Sequence, residues 1–343
     1  MVTLPQRTTL SQIARAAGVS VPTVSKVING RDDVAEATRL HVQAAIRALG
    51  YESPQQRRAQ SHGPALVDLV IDRLNSAYSI EVMRGIIDLA GTEQVEIVIS
   101  TVNSKQTRDE DSTQWARRLA AAGRRGLILV TSEIEPVQLE AFAAQGIAVV
   151  LIDPLSEYQD DVVTVGATNW AGGRTATEHL VALGHRRIAF LGGPATAECN
   201  RARLHGYHAA LADAGIEPDE RLVRTGDFDF ETGVAGLVDL LDHETPFTAI
   251  FAASDAIARG VLAEALRRGI PVPERLSVVG FDGTYLGEQT IPRLTSVAQP
   301  LFAMGAAALR SVLRLSRGEP IDATHVELST KLVLRDSTAP PQP

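Results

Sequence analysis

Between residues 66 and 282 short runs of Val, Ile and Leu alternate with stretches of helical spacing, and this alternation limits the folds open to the chain most tightly. The runs are LVDLVI (66–71), EIVIST (96–101), GLILVT (126–131), AVVLID (148–153), RIAFLGG (187–193), RLVRTG (221–226), AIFAAS (249–254) and LSVVGFD (276–282). Amphipathic segments at 79–90, 107–122, 136–145, 170–183, 203–214, 231–241 and 256–268 lie between them. Strands apolar on both faces must be covered on both, and interleaved helices supply the cover. The pattern predicts parallel sheets. Two sets of about four units fit two similar lobes better than a closed barrel. The break falls near VTVGATN (163–169), and the chain crosses back near LTSVAQP (294–300) and before LVLRDST (332–338). In such a fold a ligand sits beyond the carboxyl ends of the strands.

The first 60 residues obey a different pattern. Leu10, Ile13, Ala14 and Ala17 form a helical stripe that Gly18 ends. Ser20 can cap a second helix by accepting from the Thr23 N–H, and Pro22 falls in its first turn, where no N–H is needed. Val24, Val27 and Ile28 give that helix its apolar face, and Asn29-Gly30 ends it. A third helix places Val42, Ala45, Ile46 and Leu49 on one side. Two short helices joined by a tight Gly-Val-Ser turn, then a third, read as a helix-turn-helix. Charge agrees: this segment has eight Lys/Arg against four Asp/Glu, whereas the whole chain carries −8. A basic head on an acidic body points to a nucleic-acid module joined to something else.

Other classes fall away. No apolar run approaches the ~18 residues of a membrane span, and the N-terminus lacks the apolar core of a secretory signal, so a cytoplasmic location is expected. The single cysteine, Cys199, excludes a disulfide framework and CxxC metal sites; burial would leave it inert. FLGGP (190–194) is glycine-rich but has neither GxGxxG nor a Walker pattern. No Gly-x-Ser-x-Gly elbow or paired acid/base constellation marks an enzyme, and no metal or cofactor is expected.

In the DNA reading the second helix enters the major groove with Val21, Pro22, Ser25 and Lys26 outward. Lys26 can donate to guanine O6/N7, and Val21 or Pro22 can touch a thymine methyl. Thr9, Ser20, Thr23 and Asn29 suit phosphate contacts, which position the protein without reading sequence. The segment TLSQIARAAGVSVPTVSKVING followed by ATRLHVQAAIRALGY closely resembles the DNA-binding head of the LacI/GalR family of bacterial transcription regulators. The resemblance implies an all-α, lambda-repressor-like head, with Val21, Pro22 and Lys26 as its base-reading positions. It further implies a two-lobed α/β body of the type I periplasmic-binding-protein kind, working as a homodimer on double-stranded operator DNA. One departure is Ala35, where the family usually has a capping Ser before its third helix; Asp33 can partly substitute.

In the body, polar residues just beyond strands are the ligand candidates: Asp153, Ser254, Asp255 and Asp282, with Arg203 opening a helix after FLGG and Phe228 after RTGD. Carboxylates take sugar hydroxyls, Arg donates to ring and hydroxyl oxygens, and an aromatic ring stacks on a pyranose. The family pattern supports Arg203, Phe228, Asp282 and Gln299, and matches Asp153 to a cleft acid of sugar-binding members. Each has a structural alternative: a cap for Asp153 or Asp255, a surface ion pair for Arg203, plain core for Phe228. Where members usually carry Asn-Pro-aromatic-aromatic after the first strand, this chain has Ser76, Ala77, Tyr78 and Ser79, so only Tyr78 keeps a ring. That leaves room for a larger or more polar ligand. His185 reads as structural.

The expected organisation is a helix-turn-helix domain over 1–52, a hinge over 53–63, an effector-binding and dimerisation domain over 64–338, and a loose Pro-rich tail over 339–343. The N-lobe is expected over about 64–162 and 296–322, and the C-lobe over about 163–295 and 323–338. In the hinge, Ser53 can cap and Pro54 can start a helix over 55–60. The apolar wedge that kinks operator DNA in relatives is replaced by Gln60 or Ser61, leaving Arg57 and Arg58 for a narrow minor groove. The expected function is a regulator, more commonly a repressor in this family, of carbohydrate-utilisation genes, with a sugar effector between the lobes. The alternatives are a purine- or nucleoside-responsive member, a solute-binding protein and a Rossmann-type sugar enzyme.

Overall fold

The computed structural model describes residues 10–28, 36–48, 65–71, 73–101, 111–155, 162–243 and 246–342. The chain divides into two compact units, Met1–Pro64 and Ala65–Pro343.

In the first unit α1 (Leu10–Ala16), α2 (Val21–Ile28) and α3 (Glu36–Ala48) enclose a small core of Ile13, Ala14, Ala17, Val24, Val27 and Val42. Gly18 takes φ +63° at the turn, the left-handed conformation that glycine adopts without a Cβ penalty. The Thr23 N–H donates to Ser20 Oγ at 3.4 Å, so the expected cap is present. Thr9, Asn29, Arg57, Arg58 and the whole hinge lie outside the described residues, as does the side chain of Ser25.

The second unit holds two six-stranded sheets. The N-lobe sheet comprises β1 (Ala65–Ile71), β2 (Val95–Thr101), β3 (Arg124–Val130), β4 (Ala148–Ile152), β5 (Val163–Ala167) and β11 (His325–Leu328). All its pairings are parallel, in the order β11-β5-β4-β3-β1-β2. The C-lobe sheet comprises β6 (Ile188–Gly192), β7 (Val223–Thr225), β8 (Ala249–Ala252), β9 (Ser277–Asp282), β10 (Thr295–Ala298) and β12 (Lys331–Val333), ordered β12-β10-β9-β8-β6-β7. Only β12 runs antiparallel to its neighbour.

Helices cover both sheets as the alternation predicts. α4 (Ala77–Glu93), α5 (Ser112–Ala121) and α6 (Pro136–Ala144) belong to the N-lobe. α7 (Asn169–Ala182), α8 (Glu198–Asp213), α9 (Phe230–Asp242), α10 (Asp255–Arg267) and the short α11 (Tyr285–Glu288) belong to the C-lobe. The last helix, α12 (Leu301–Ser316), returns to the N-lobe, where Leu301, Met304, Ala308, Leu309 and Val312 join the core of β1, β3 and β4.

Three expectations need correction. The first crossover follows β5 rather than preceding it, so 163–167 belong to the N-lobe; conversely 295–298 belong to the C-lobe. Residues 325–328, not foreseen as a strand because only Val326 and Leu328 are apolar, add a sixth strand to the N-lobe. Paired on one side at the sheet edge, this strand needs no continuous apolar run. The tail is not loose at its start. His185 Nε2 and Ser277 Oγ both lie 2.9 Å from the Ala339 carbonyl, and the Ala339 N–H donates to Ser277 Oγ.

The three crossovers meet between the lobes. The Thr168 N–H donates to the Leu328 carbonyl at 2.9 Å, and Thr168 Oγ1 lies 3.0 Å from Thr330 Oγ1, tying two connections together. α7 and α8 pack backbone to backbone at Gly173, where a Cβ would stand 2.3 Å from the Arg203 carbonyl oxygen. This contact brings the start of α7 against Arg203 and so begins the site.

Candidate functional site

A cleft of about 340 Å³ lies between the lobes, walled entirely by segments that follow strands. From the N-lobe come Arg73 and residues 75–79 after β1, Thr131 after β3, and Asp153 and Leu155 after β4. From the C-lobe come Pro194, Cys199 and Arg203 after β6, residues 227–231 after β7, Ser254 and Asp255 after β8, and Asp282 after β9. Three of these residues, Thr131 (φ +44°), Asp153 (φ +42°) and Asp282 (φ +103°), hold left-handed backbone without being glycine. Such conformations cost of order 1–3 kcal/mol each and cluster where side chains must be aimed.

Asp153 is buried, and Tyr78 Oη donates to its Oδ2 at 2.6 Å. Burial raises the Asp153 carboxyl above its ordinary range, opposed by the charge of Arg203 and by the Tyr78 hydrogen bond. Burial and the neighbouring Asp153 charge push the Tyr78 phenol well up, so it remains a donor. Asp153 does not cap a helix; it closes β4 and faces the C-lobe groups.

Arg203 sits in the second turn of α8, which starts at Glu198 rather than opening at Arg203 as expected. It is no surface residue. Its Nε donates to Asn169 Oδ1 at 2.8 Å, its Nη1 donates to the Ala253 carbonyl at 2.6 Å, and Nη1 stands 3.8 Å from Asp282 Oδ1. Its guanidinium carbon lies 3.9 Å from the centroid of the Phe281 ring and 5.6 Å from that of Phe228. A cation held by two charge-assisted bonds and flanked by two rings is pre-oriented. Phe228 in turn lies over Gly193, where a Cβ would stand 2.4 Å from the ring. The second glycine of FLGG thus makes room for an aromatic ring at the cleft.

Asp282 accepts from Gln299 Nε2 at 2.8 Å, and the Gln299 N–H donates to the Asp282 carbonyl at 3.0 Å. Burial pushes the Asp282 carboxyl up to about 8; Arg203 opposes this, and the Asp255 and Asp153 charges reinforce it. Gln299 itself does not line the cleft, contrary to its expected role as an effector contact. Its backbone follows β10 beside β9, which directs its amide onto Asp282 instead.

Asp255 lines the cleft, but its carboxylate is occupied. Oδ2 accepts from the Thr284 N–H (2.7 Å) and Oγ1 (2.9 Å), and Oδ1 accepts from Ser296 Oγ (2.6 Å). Burial raises it to about 6 against these bonds. Ser254 Oγ caps α10 by accepting from the Ile257 N–H at 3.2 Å. These two fix the wall: Ser254, not Asp255, makes the helix cap, and Asp255 braces Thr284 and Ser296 instead. Ser79 is buried at the cleft floor, where its N–H donates to Ser76 Oγ. Cys199 lies on the cleft with its thiol pushed up to about 12 by burial, which keeps it protonated.

Several cleft residues escape sequence reasoning. Arg73, Phe230 and Arg259 line the cleft and Asn169 stands behind it on Arg203; none is a candidate from sequence, although Arg73 and Asn169 follow the aliphatic runs at 66–71 and 163–167. Arg73 spans the cleft mouth to Asp229 (3.3 Å) and Asp227 (3.8 Å) of the other lobe. In the head, Val21, Pro22 and Lys26 lie exposed on α2, with Ser20 exposed before it and Thr23 half-buried.

Residues 9–54 match the bacterial regulatory proteins of the lacI family, and residues 177–338 match a periplasmic binding protein-like domain. The HTH-type transcriptional regulator CelR of Thermobifida fusca is 34% identical over 335 residues, 97% of this chain and 98% of its own length. The chain belongs to the lacI family of bacterial regulatory proteins. Catabolite control protein A of Priestia megaterium is 30% identical over 96% of this chain and 99% of its own length. Among solved structures, the CelR–cellobiose complex superposes with a TM-score of 0.72 at 32% identity, covering 96% of this chain and all of that one. The lac repressor dimer bound to operator and the anti-inducer ONPF gives 0.70 at 27% identity, over 97% of this chain and all of that one. This lacI-family chain is accordingly a DNA-binding transcriptional regulator with a helix-turn-helix head and a two-lobed α/β body. Among its described residues no helix is long and apolar enough to cross a membrane, and no group of three or more His, Cys, Asp or Glu is placed to hold a metal.

Proposed function

We propose that this regulator is a cytoplasmic repressor of carbohydrate-utilisation genes whose hold on its operator is set by a sugar in the cleft, and that it has no catalytic activity. The observation that carries the reading is the convergence of Asp153 from the N-lobe with Arg203 and Asp282 from the C-lobe, all buried and facing one cleft. A polyol bridging them has acceptors for its hydroxyl protons, a rigid donor for its oxygens and the Phe228 ring for its apolar face. Tyr78 and Ser79 complete the N-lobe side, while Ser254, Asp255 and Gln299 hold the residues that touch the ligand. Relatives whose structures contain cellobiose or ribose support the class of ligand.

On the DNA side, two heads act together as a homodimer on a pseudo-palindromic site. Val21, Pro22, Ser25 and Lys26 read bases, while Thr9, Ser20, Thr23 and Asn29 fix the phosphates. Bridging both lobes, the ligand favours a closed body, and linkage requires operator and ligand to change each other's affinity by the same factor. Gel shifts on the chain's own upstream region, with and without a sugar panel, test the reading. Arg203→Ala should retain operator binding and lose the response. A response to adenosine or hypoxanthine and to no sugar would replace the sugar by a nucleoside.

A further inference from the structure

The inner groups account for only part of the cleft. At the packing density of a protein interior a single hexopyranose fills roughly 200 Å³ and a disaccharide roughly 370 Å³. The cleft holds about 340 Å³. Beside Phe228 the cleft is lined by the rest of the segment Asp227-Phe228-Asp229-Phe230 that follows β7. This segment repeats a carboxylate and an aromatic ring twice. The first ring, Phe228, is half-buried over Gly193 and beside Arg203. The second, Phe230, lines the same cleft yet is 37% exposed at the start of α9, where core packing does not account for it. An exposed ring on a cleft wall suits the apolar face of a pyranose, with flanking acceptors for its hydroxyls.

Charge narrows the ligand further. Burial holds Asp282 protonated, so beyond the inner groups the cleft carries Asp227, Asp229 and Glu231 against Arg73 and Arg259. Arg203 is committed to Asn169, the Ala253 carbonyl and the neighbouring Asp282, and Arg73 already faces Asp227 and Asp229. A phosphate or carboxylate entering here meets an excess of like charge.

Resting on the sugar reading above, we infer that the effector is an uncharged disaccharide. One ring lies at Asp153, Arg203, Asp282 and Phe228, and the second in an outer subsite formed by Phe230 and Asp227. The Arg73 side chain borders that subsite, so its pairing with the two carboxylates rearranges when the second ring enters.

Calorimetric titration of the full chain tests this with cellobiose, maltose, lactose and sucrose against glucose, galactose, fructose, glucose 6-phosphate and adenosine. At least one disaccharide should bind ten times or more tighter than either of its constituent monosaccharides, and glucose 6-phosphate should bind more weakly than glucose. Phe230→Ala should lower disaccharide affinity roughly tenfold and so collapse the preference over the monosaccharide. Asp227→Asn, an exposed change that leaves packing alone, should weaken the disaccharide in the same selective way. Equal or tighter binding of the monosaccharide, or tighter binding of the phosphate ester, overturns the outer subsite while leaving a sugar regulator in place. A panel in which only adenosine binds overturns both readings, and one in which nothing binds overturns the disaccharide.

Discussion

Asp282→Asn separates what the cleft is built for from what the fold tolerates. Asp282 is buried, its backbone has φ +103°, and burial raises its carboxyl from an ordinary value of 3.8 to about 8. Asn tolerates positive φ better than most residues and keeps an oxygen for Gln299 Nε2, so the change removes the ionisable proton with little else. The sign of the effect follows from the raised value. Between pH 4 and 8 the folded protein holds a proton at Asp282 that the unfolded chain has released. Stability is therefore full below about pH 4 and falls as pH rises toward 8, by about 1.4 kcal/mol per pH unit. By pH 7 the accumulated cost is roughly 4 kcal/mol. Asp255, raised to about 6, adds to the slope only at lower pH. Between pH 6 and 8 His179, His185 and His208, lowered by burial, contribute a rise of opposite sign, so the difference between wild type and variant isolates Asp282. Urea unfolding of the full chain across pH 5–8.5 should show the stability of Asp282→Asn relative to wild type rising steadily over that upper interval. At pH 8 the variant should be the more stable by about 2–4 kcal/mol, while its operator complex no longer responds to effector. Parallel slopes between pH 6 and 8 would show that Asp282 is ionised in the folded protein and refute the argument.

Three further outcomes are expected. Lys26→Ala should cost about 1–3 kcal/mol on the operator and relax preference at one position per half-site; equal weakening on random DNA in gel shifts would make Lys26 a phosphate contact. Gly173→Ala forces a Cβ to 2.3 Å from the Arg203 carbonyl oxygen and should lower stability by about 1–3 kcal/mol while blunting the effector response; an unchanged melting temperature would mean that α7 and α8 separate freely. Arg57→Ala with Arg58→Ala should erase a preference for A·T pairs at the operator centre, and circular-permutation gel shifts of the wild type should show a shallower bend than in wedge-bearing relatives. A sharp wild-type kink contradicts that view of the hinge.

Much of the fold was legible because it is written in local periodicity. Each aliphatic run became a strand, and each amphipathic stretch a helix within a few residues, since solvent exclusion acts on every turn and pleat alike. β11 escaped because an edge strand with one covered face needs only Val326 and Leu328. The start of α8 was missed because Glu198, Cys199 and Asn200 carry no cap and no stripe; Ala197, its N-cap residue, makes no side-chain cap hydrogen bond. Tertiary packing, not a local signal, sets where that helix begins.

The site was legible to the extent that a strand end announces itself. Asp153 and Asp282 stand at the carboxyl ends of β4 and β9, and topology alone brings such ends together. What each one does was not legible, because that depends on partners distant in the chain. Asp255 and Asp282 look alike in sequence, an Asp at the end of an aliphatic run. They diverge because Thr284 and Ser296 fill the oxygens of the first, whereas the second meets only Gln299 and, at 3.8 Å, Arg203. Three hydrogen bonds within the wall make Asp255 a brace. Incomplete pairing at a buried position leaves Asp282 with capacity for a further partner at the cleft, which under the proposed sugar reading is a ligand hydroxyl. The same contrast explains Gln299: it too follows a strand, β10, yet its amide is spent on Asp282, so under the proposed sugar reading it serves the ligand through the carboxyl group it orients.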